Sequence, residues 1–269
     1  MSEPTHINID VNLPALLGKL QVELQRLSDL TTIGLVGTPK VEEADYREPR
    51  DFAALQIASD KRMSLSKARE EFQTWCLKNS FTEAIDLLSA FLEECRTIAA
   101  LFRLHGACTG SDLNKAYIED AKKFHELGFP KKIEHLRNEF GIASKFEDHV
   151  LSLNRARNCL VHRLGIVSPK DVDSGGRLVV TWHSLNLIAI DNSTGRETIL
   201  VEPTVLESES RIAARVGPYQ REFRVGDRIL FDRNEHKHTV FTFYVFALEI
   251  VQALAKLQPE TSHDGDKLS

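Results

Sequence analysis

The stretch from Ser144 to Gly165, SKFEDHVLSLNRARNCLVHRLG, decides how the rest of the chain is read. Ser144 followed three residues later by Glu147 is a capping box, so a helix starts here. Val150, Leu153 and Leu160 mark its apolar face, and Gly165 supplies a stop. Between Arg155 and Arg163 lie three arginines and a histidine with no acidic residue. At ~100° per residue, Arg155, Asn158 and His162 share one face of an ideal helix. Arg157 falls about 140° away from His162, among Phe146, Val150, Leu153 and Leu160. Its guanidinium reaches the polar stripe only if the stem snorkels out along apolar surface.

Working outward, helical patterns flank this segment on the N-terminal side. Ser80 and Glu83 form another capping box, followed by a stripe of Ile85, Leu88, Phe91, Leu92, Cys95, Ile98, Ala99 and Phe102 that ends near Gly106. Ser111 is placed to cap a helix running through Tyr117 and Phe124 to Gly128. Pro130 suits the first turn of a shorter helix carrying Ile133, Leu136 and Phe140, which Gly141 closes. Leu13, Leu17, Leu20, Leu24 and Leu27 form a coiled-coil-like seam on a helix from about Asn12, with Pro14 in its first turn. Residues 33–53, with Gly34, Gly37, Pro39 and Pro49, read as a connector. Gly37-Thr38-Pro39-Lys40 lacks the spacing of a phosphate-binding loop.

The pattern changes after Pro169. Leu178–Trp182, Leu185–Ile190 and Glu197–Val201 are rich in β-branched and aliphatic residues, with a polar turn from Asp191 to Gly195. Phe223 to Phe231 adds another turn between strand-like residues, so 176–232 is expected to form a small antiparallel sheet. Thr239 is expected to cap a final helix, Val240 to Leu257, apolar on most sides and therefore enclosed. Glu249, Gln252 and Lys256 argue against a membrane span there. His236-Lys237-His238 reads as a solvated loop rather than a metal site. The expected organisation is an N-terminal helix and connector (1–60), a helical bundle (61–168), a β insert (169–235), a C-terminal helix returning to the bundle (236–258) and a disordered tail (259–269).

Composition bounds the function classes. Net charge is −5, so nothing here is a polycation. Residues 101–165 carry 11 Lys+Arg against 8 Asp+Glu, a mild basic excess suited to a few phosphates. Cys76, Cys95, Cys108 and Cys159 are widely spaced without a C-x-x-C pair, which argues against a zinc ribbon and for a reducing, cytoplasmic compartment. Cys159, flanked by apolar residues, reads as a core thiol. The polar first ten residues lack the pattern of a signal peptide.

Arg157-Asn158-x-x-x-His162, late on a long helix that ends at Gly165, resembles the signature of the HEPN superfamily. The resemblance covers about 80–165 and extends to the last helix, but not to the N-terminal seam or the sheet. It implies a mainly α, HEPN-like helical bundle with a small inserted antiparallel β-sheet, working as a homodimer through the motif helix. It further implies metal-independent endoribonuclease activity, with a setting in phage defence, stress or toxin–antitoxin response. Arg157, Asn158 and His162 would be catalytic, Arg155 and Arg163 would bind RNA, and no cofactor or metal is expected. The residue types suit that chemistry: histidine titrates near neutrality, and arginine forks onto phosphate oxygens. Two other readings remain open. One is a non-catalytic module binding RNA or a protein regulator; the other is a structural dimerisation protein.

Overall fold

The computed structural model describes residues 5–7, 11–46, 63–200, 205–206 and 209–259. The fold is mainly α with a small antiparallel sheet. The elements form two units, one built from Met1–Glu23, Ile85–Glu147 and Tyr244–Ser269, the other from Leu24–Ala84 and Asp148–Phe243.

Helix α1 (Leu13–Gly37) starts as expected, with the Asn12 side chain accepting the Ala15 N–H at 2.9 Å. It buries Leu13, Leu16, Leu20, Leu24 and Leu27; Leu16 takes the place expected for Leu17. The helix also runs into the segment read as a connector, as far as Gly37. Gly34 is the reason: a Cβ there would lie 2.6 Å from Cys76 Sγ, so this glycine serves a close helix approach instead of breaking the chain. A 3-10 turn (Thr38–Lys40) and the short α2 (Glu43–Tyr46) follow, and the remainder of the expected connector lies outside the described residues.

Helix α3 (Leu65–Arg103) starts well before the expected capping box. Ser64 caps it, its hydroxyl accepting the Lys67 N–H at 3.3 Å. Ser80 sits mid-helix and buried, where its hydroxyl instead meets His236 Nε2 at 2.5 Å. Strands β1 (Thr5–Ile7) and β2 (Gly106–Cys108) pair antiparallel. Helix α4 (Gly110–Asn114) is capped by Thr109 with Asp112 in a reciprocal box, two residues earlier than Ser111. It continues through one π turn (Lys115–Glu119) into α5 (Asp120–His125). Helix α6 (Phe129–Phe140) has Pro130 in its first turn and Gly141 at its left-handed cap, as the sequence implied.

Helix α7 (Glu147–Arg163) carries the polar stripe. The Glu147 carboxylate accepts the Ser144 N–H at 3.1 Å, and Ser144 Oγ accepts the Phe146 N–H at 3.1 Å, close to the expected cap. Val150, Leu153, Ala156, Cys159 and Leu160 are buried. Leu164 and Gly165 both turn left-handed (φ 52° and 76°), and the Gly165 N–H bonds the Cys159 carbonyl at 3.2 Å. A Cβ at Gly165 would press on Leu160 Cδ2 at 3.2 Å, so glycine is required here.

The sheet has the order β4-β3-β5. Two expected strands merge into one, β3 (Arg177–Asp191), which pairs over its whole length with β5 (Ser210–Arg224) and briefly with β4 (Glu197–Ile199). Most of β5 was not expected from sequence. It is an edge strand exposed along most of its length, so it lacks the in–out alternation that identifies strands. Its Pro218 is tolerated because an edge strand has one unpaired side. At the base of the ribbon Leu178, Val180, Trp182, Phe223 and Phe231 are buried, with Trp182 edge-on to Phe231 at 5.5 Å and Phe81 stacked on Phe231 at 5.1 Å.

Helix α8 (Arg233–Ala255) begins seven residues before the expected Val240. Asp232 Oδ1 accepts the Asn234 and Glu235 N–H groups, each at 2.8 Å, while Glu235 accepts the Asp232 N–H at 2.9 Å. Thr239 is therefore a buried mid-helix residue, and His236 and His238 are helical, not in a loop. By length and composition α8 is apolar enough to cross a bilayer. Phe243, Phe246, Ala247, Ile250 and Leu254 are nevertheless packed inside the protein, as an enclosed core helix requires.

Candidate functional site

Helix α7 is held by its N-terminal half. Ser152, buried, accepts the Thr181 N–H at 2.9 Å, and His149 Nδ1 meets Thr181 Oγ1 at 2.8 Å, so β3 is pinned across the helix. Burial holds the His149 imidazole below its usual pKa. Helix α8 grips the same strand: Thr242 Oγ1 accepts the His183 N–H at 2.9 Å, and His238 Nδ1 accepts the Leu185 N–H at 3.2 Å. The C-terminal half of α7 is left to present its polar residues.

Arg155 and His162 are exposed and Asn158 is half-buried, which places all three on the stripe expected from helical geometry. Arg157 is half-buried, and its Nη1 donates to Asn158 Oδ1 at 3.2 Å. The Arg157 Nε is buried, so the guanidinium meets Asn158 from the apolar flank of the helix. His162 has no hydrogen-bond partner among the described residues, so its imidazole faces solvent with both nitrogens available.

Arg163 behaves differently. Its guanidinium forks onto Asp171, Nε donating to Oδ2 at 2.7 Å and Nη2 to Oδ1. Asp171 also accepts the Ser168 N–H and hydroxyl, each at 2.8 Å. Burial alone would raise the Asp171 pKa, but the Ser168 donors and Arg163 outweigh it and hold the carboxyl below its ordinary range. Arg163 therefore closes the turn after α7. Cys159 is buried, and burial followed by the nearby Asp171 charge pushes its thiol up to about 11, so it stays protonated and inert near neutrality. Cys76 and Cys95 are likewise buried free thiols; the Cys108 side chain lies outside the described set.

No family model, curated protein or solved structure matches this chain.

On the opposite flank of α7 from the stripe lies an apolar groove of about 460 Å³, lined by Met63, Phe72, Trp75, Leu160 and Leu164. Phe72 stacks on Trp75 with centroids 5.5 Å apart, yet Trp75 is 57% exposed and Leu164 68%. Sequence reading missed this groove, because Phe72 and Trp75 fall in the first turns of α3, ahead of the residue taken as its start. The other histidine pair, His236 and His238, does not form a site. His236 is buried against Ser80, and among the described residues no cluster of three or more His, Cys, Asp or Glu side chains is placed to hold a metal.

Proposed function

We propose that this chain is a metal-independent endoribonuclease of HEPN type, with Arg157, Asn158 and His162 acting on the RNA and Arg155 steering its phosphates. The observation that supports the reading is the Arg157–Asn158 hydrogen bond, with the exposed His162 one helical turn beyond Asn158. RNA brings its own nucleophile. The 2′-hydroxyl oxygen attacks the adjacent phosphorus as an imidazole takes its proton. The P–O5′ bond then breaks, and the departing oxygen takes a proton from an imidazolium. This leaves a 2′,3′-cyclic phosphate and a 5′-hydroxyl. Arg157, held by Asn158, neutralises the charge that builds on the phosphorane oxygens.

One histidine cannot be base and acid in the same step, so two copies of α7 acting together supply the pair. Tying Arg163 to Asp171 removes one cation from the set, and this favours a second reading, a module that binds RNA or a protein regulator without cutting. The two separate on one experiment. Single-stranded RNA is incubated with the protein in chelator, alongside His162→Ala and Arg157→Ala. Cleavage by wild type alone supports the enzyme; retention of RNA without cleavage supports the second reading.

A further inference from the structure

The apolar groove between α3 and the end of α7 lies wholly within one unit, and its occupant does not depend on the RNA reading. Met63, Phe72, Trp75 and Leu164 are all exposed, yet all four converge on this one hollow of about 460 Å³. Single apolar residues scattered over a surface need no explanation; four large ones around one groove mark a binding surface. The backbone gives an independent sign. Leu164, at φ 52°, is the one non-glycine residue in the left-handed region among the described residues. A leucine is strained there, and the strain holds an apolar side chain at the groove with most of its surface in water.

Charge and polarity specify the occupant. The lining holds one cation and one anion, Lys78 and Glu71. Glu71 is already engaged: Lys67 Nζ lies at 2.9 Å and Arg228 Nη1 at 3.9 Å, and the Lys67 hydrogen bond holds its carboxyl below the ordinary range. Lys78 is half-buried, and its ammonium has no ion-pair or hydrogen-bond partner among the described residues. It lies one turn from Trp75 on the same face of α3, and the Trp75 indole N–H also lacks a hydrogen-bond partner among those residues. Two donors thus stand at one end of the groove, while Glu71 stands two turns away. The hydroxyl of Thr74 is engaged, donating to the Glu70 carbonyl at 3.1 Å and accepting from Arg228 Nη1 at 3.3 Å. A peptide backbone pressed along this lining would leave amide groups without partners, whereas a hydrocarbon chain would not. From Ala68 to Lys78 the α3 wall runs about 15 Å, the span of an extended chain of about ten carbons.

We infer that this groove binds a medium-chain aliphatic carboxylate. The hydrocarbon lies along Phe72, Trp75, Leu160 and Leu164, and the carboxylate accepts from Lys78 and the Trp75 indole N–H. The probe is decanoate, titrated into the full chain below its micelle concentration and followed by calorimetry and tryptophan emission. Trp182 is buried, so of the two tryptophans only Trp75 is placed to report a change of surroundings. Saturable binding with a blue shift is expected. Lys78→Glu should weaken it roughly tenfold or more, and Lys78→Arg should retain it. Ala68→Phe, which fills the groove, should abolish it, and decanol should bind more weakly than decanoate. Absence of saturable binding to the wild type overturns the inference. So does equal binding of decanol, or of decanoate by folded Lys78→Glu or Ala68→Phe. A blue shift that grows with protein concentration before any decanoate is added assigns the groove to a second copy of the chain, and likewise overturns it.

Discussion

His236 gives the protein an acid limit whose size follows from its surroundings. The ring is 1% exposed, its Nε2 meets Ser80 Oγ at 2.5 Å, and its Nδ1 is buried without a partner. Burial lowers its pKa from 6.5 to about 4. The folded state therefore holds this imidazole neutral where the unfolded chain would already bind a proton. Stability from this group is complete above pH 6.5 and is lost as pH falls toward 4. A gap of about 2.5 units, at roughly 1.36 kcal/mol each, amounts to about 3 kcal/mol. His135, His149 and His238 are also lowered by burial, and Asp171 and Glu249 lie below their ordinary range, so acid weakens the fold through several groups at once. His236→Gln isolates the one of interest, since the amide can still bond Ser80 but cannot titrate. Urea unfolding, followed by the emission of buried Trp182, gives stability at pH 7 and pH 4. The advantage of wild type over His236→Gln should shrink by about 3 kcal/mol across that range. An advantage independent of pH refutes the reasoning.

Other positions give sharper local tests. Gly34→Ala places a methyl 2.6 Å from Cys76 Sγ and should destabilise by about 1–3 kcal/mol in denaturant unfolding, with partial recovery in Gly34→Ala/Cys76→Ala. Asp171→Asn leaves Arg163 without its carboxylate and the Ser168 donors with a weaker acceptor; it should lower stability by roughly 2–3 kcal/mol. Hydrogen exchange in the turn at Ser168 should rise in the same variant, and an unchanged exchange pattern there contradicts the assignment of Arg163 to closing that turn. Asp232→Ala removes the α8 cap and should cost about 1 kcal/mol, read as a shift in urea midpoint.

The parts of this fold legible in the sequence are those where local signals and tertiary packing agree. Helix α6, bounded by Pro130 and Gly141, and helix α7, opened at Ser144 and Glu147 and closed at Gly165, were readable for that reason. Where tertiary contacts override local signals, the reading went astray. Ser80 and Glu83 imitate a helix start, but Ser80 satisfies its hydroxyl with His236, far away in sequence. Gly34 imitates a breaker, but its missing Cβ admits Cys76. Strand β5 has no pattern to read, because an exposed edge imposes none. At the stripe, Arg155, Asn158 and His162 followed from helical periodicity, whereas the reach of Arg157 to Asn158 depends on a side-chain path that spacing cannot specify. The Arg163–Asp171 fork joins residues on either side of the α7 stop and was equally invisible.

In the proposed reaction the α7 stripe cuts RNA using the substrate's own 2′-oxygen. A synthetic RNA strand and a copy carrying a single 2′-deoxy nucleotide at the cleaved position, each incubated in chelator and analysed by mass, test it most directly. The account predicts fragments ending in a 2′,3′-cyclic phosphate from the all-ribose strand, none at the deoxy position, and none from either strand with His162→Ala. Scission at the deoxy position, or cyclic-phosphate fragments that persist with His162→Ala, would contradict it.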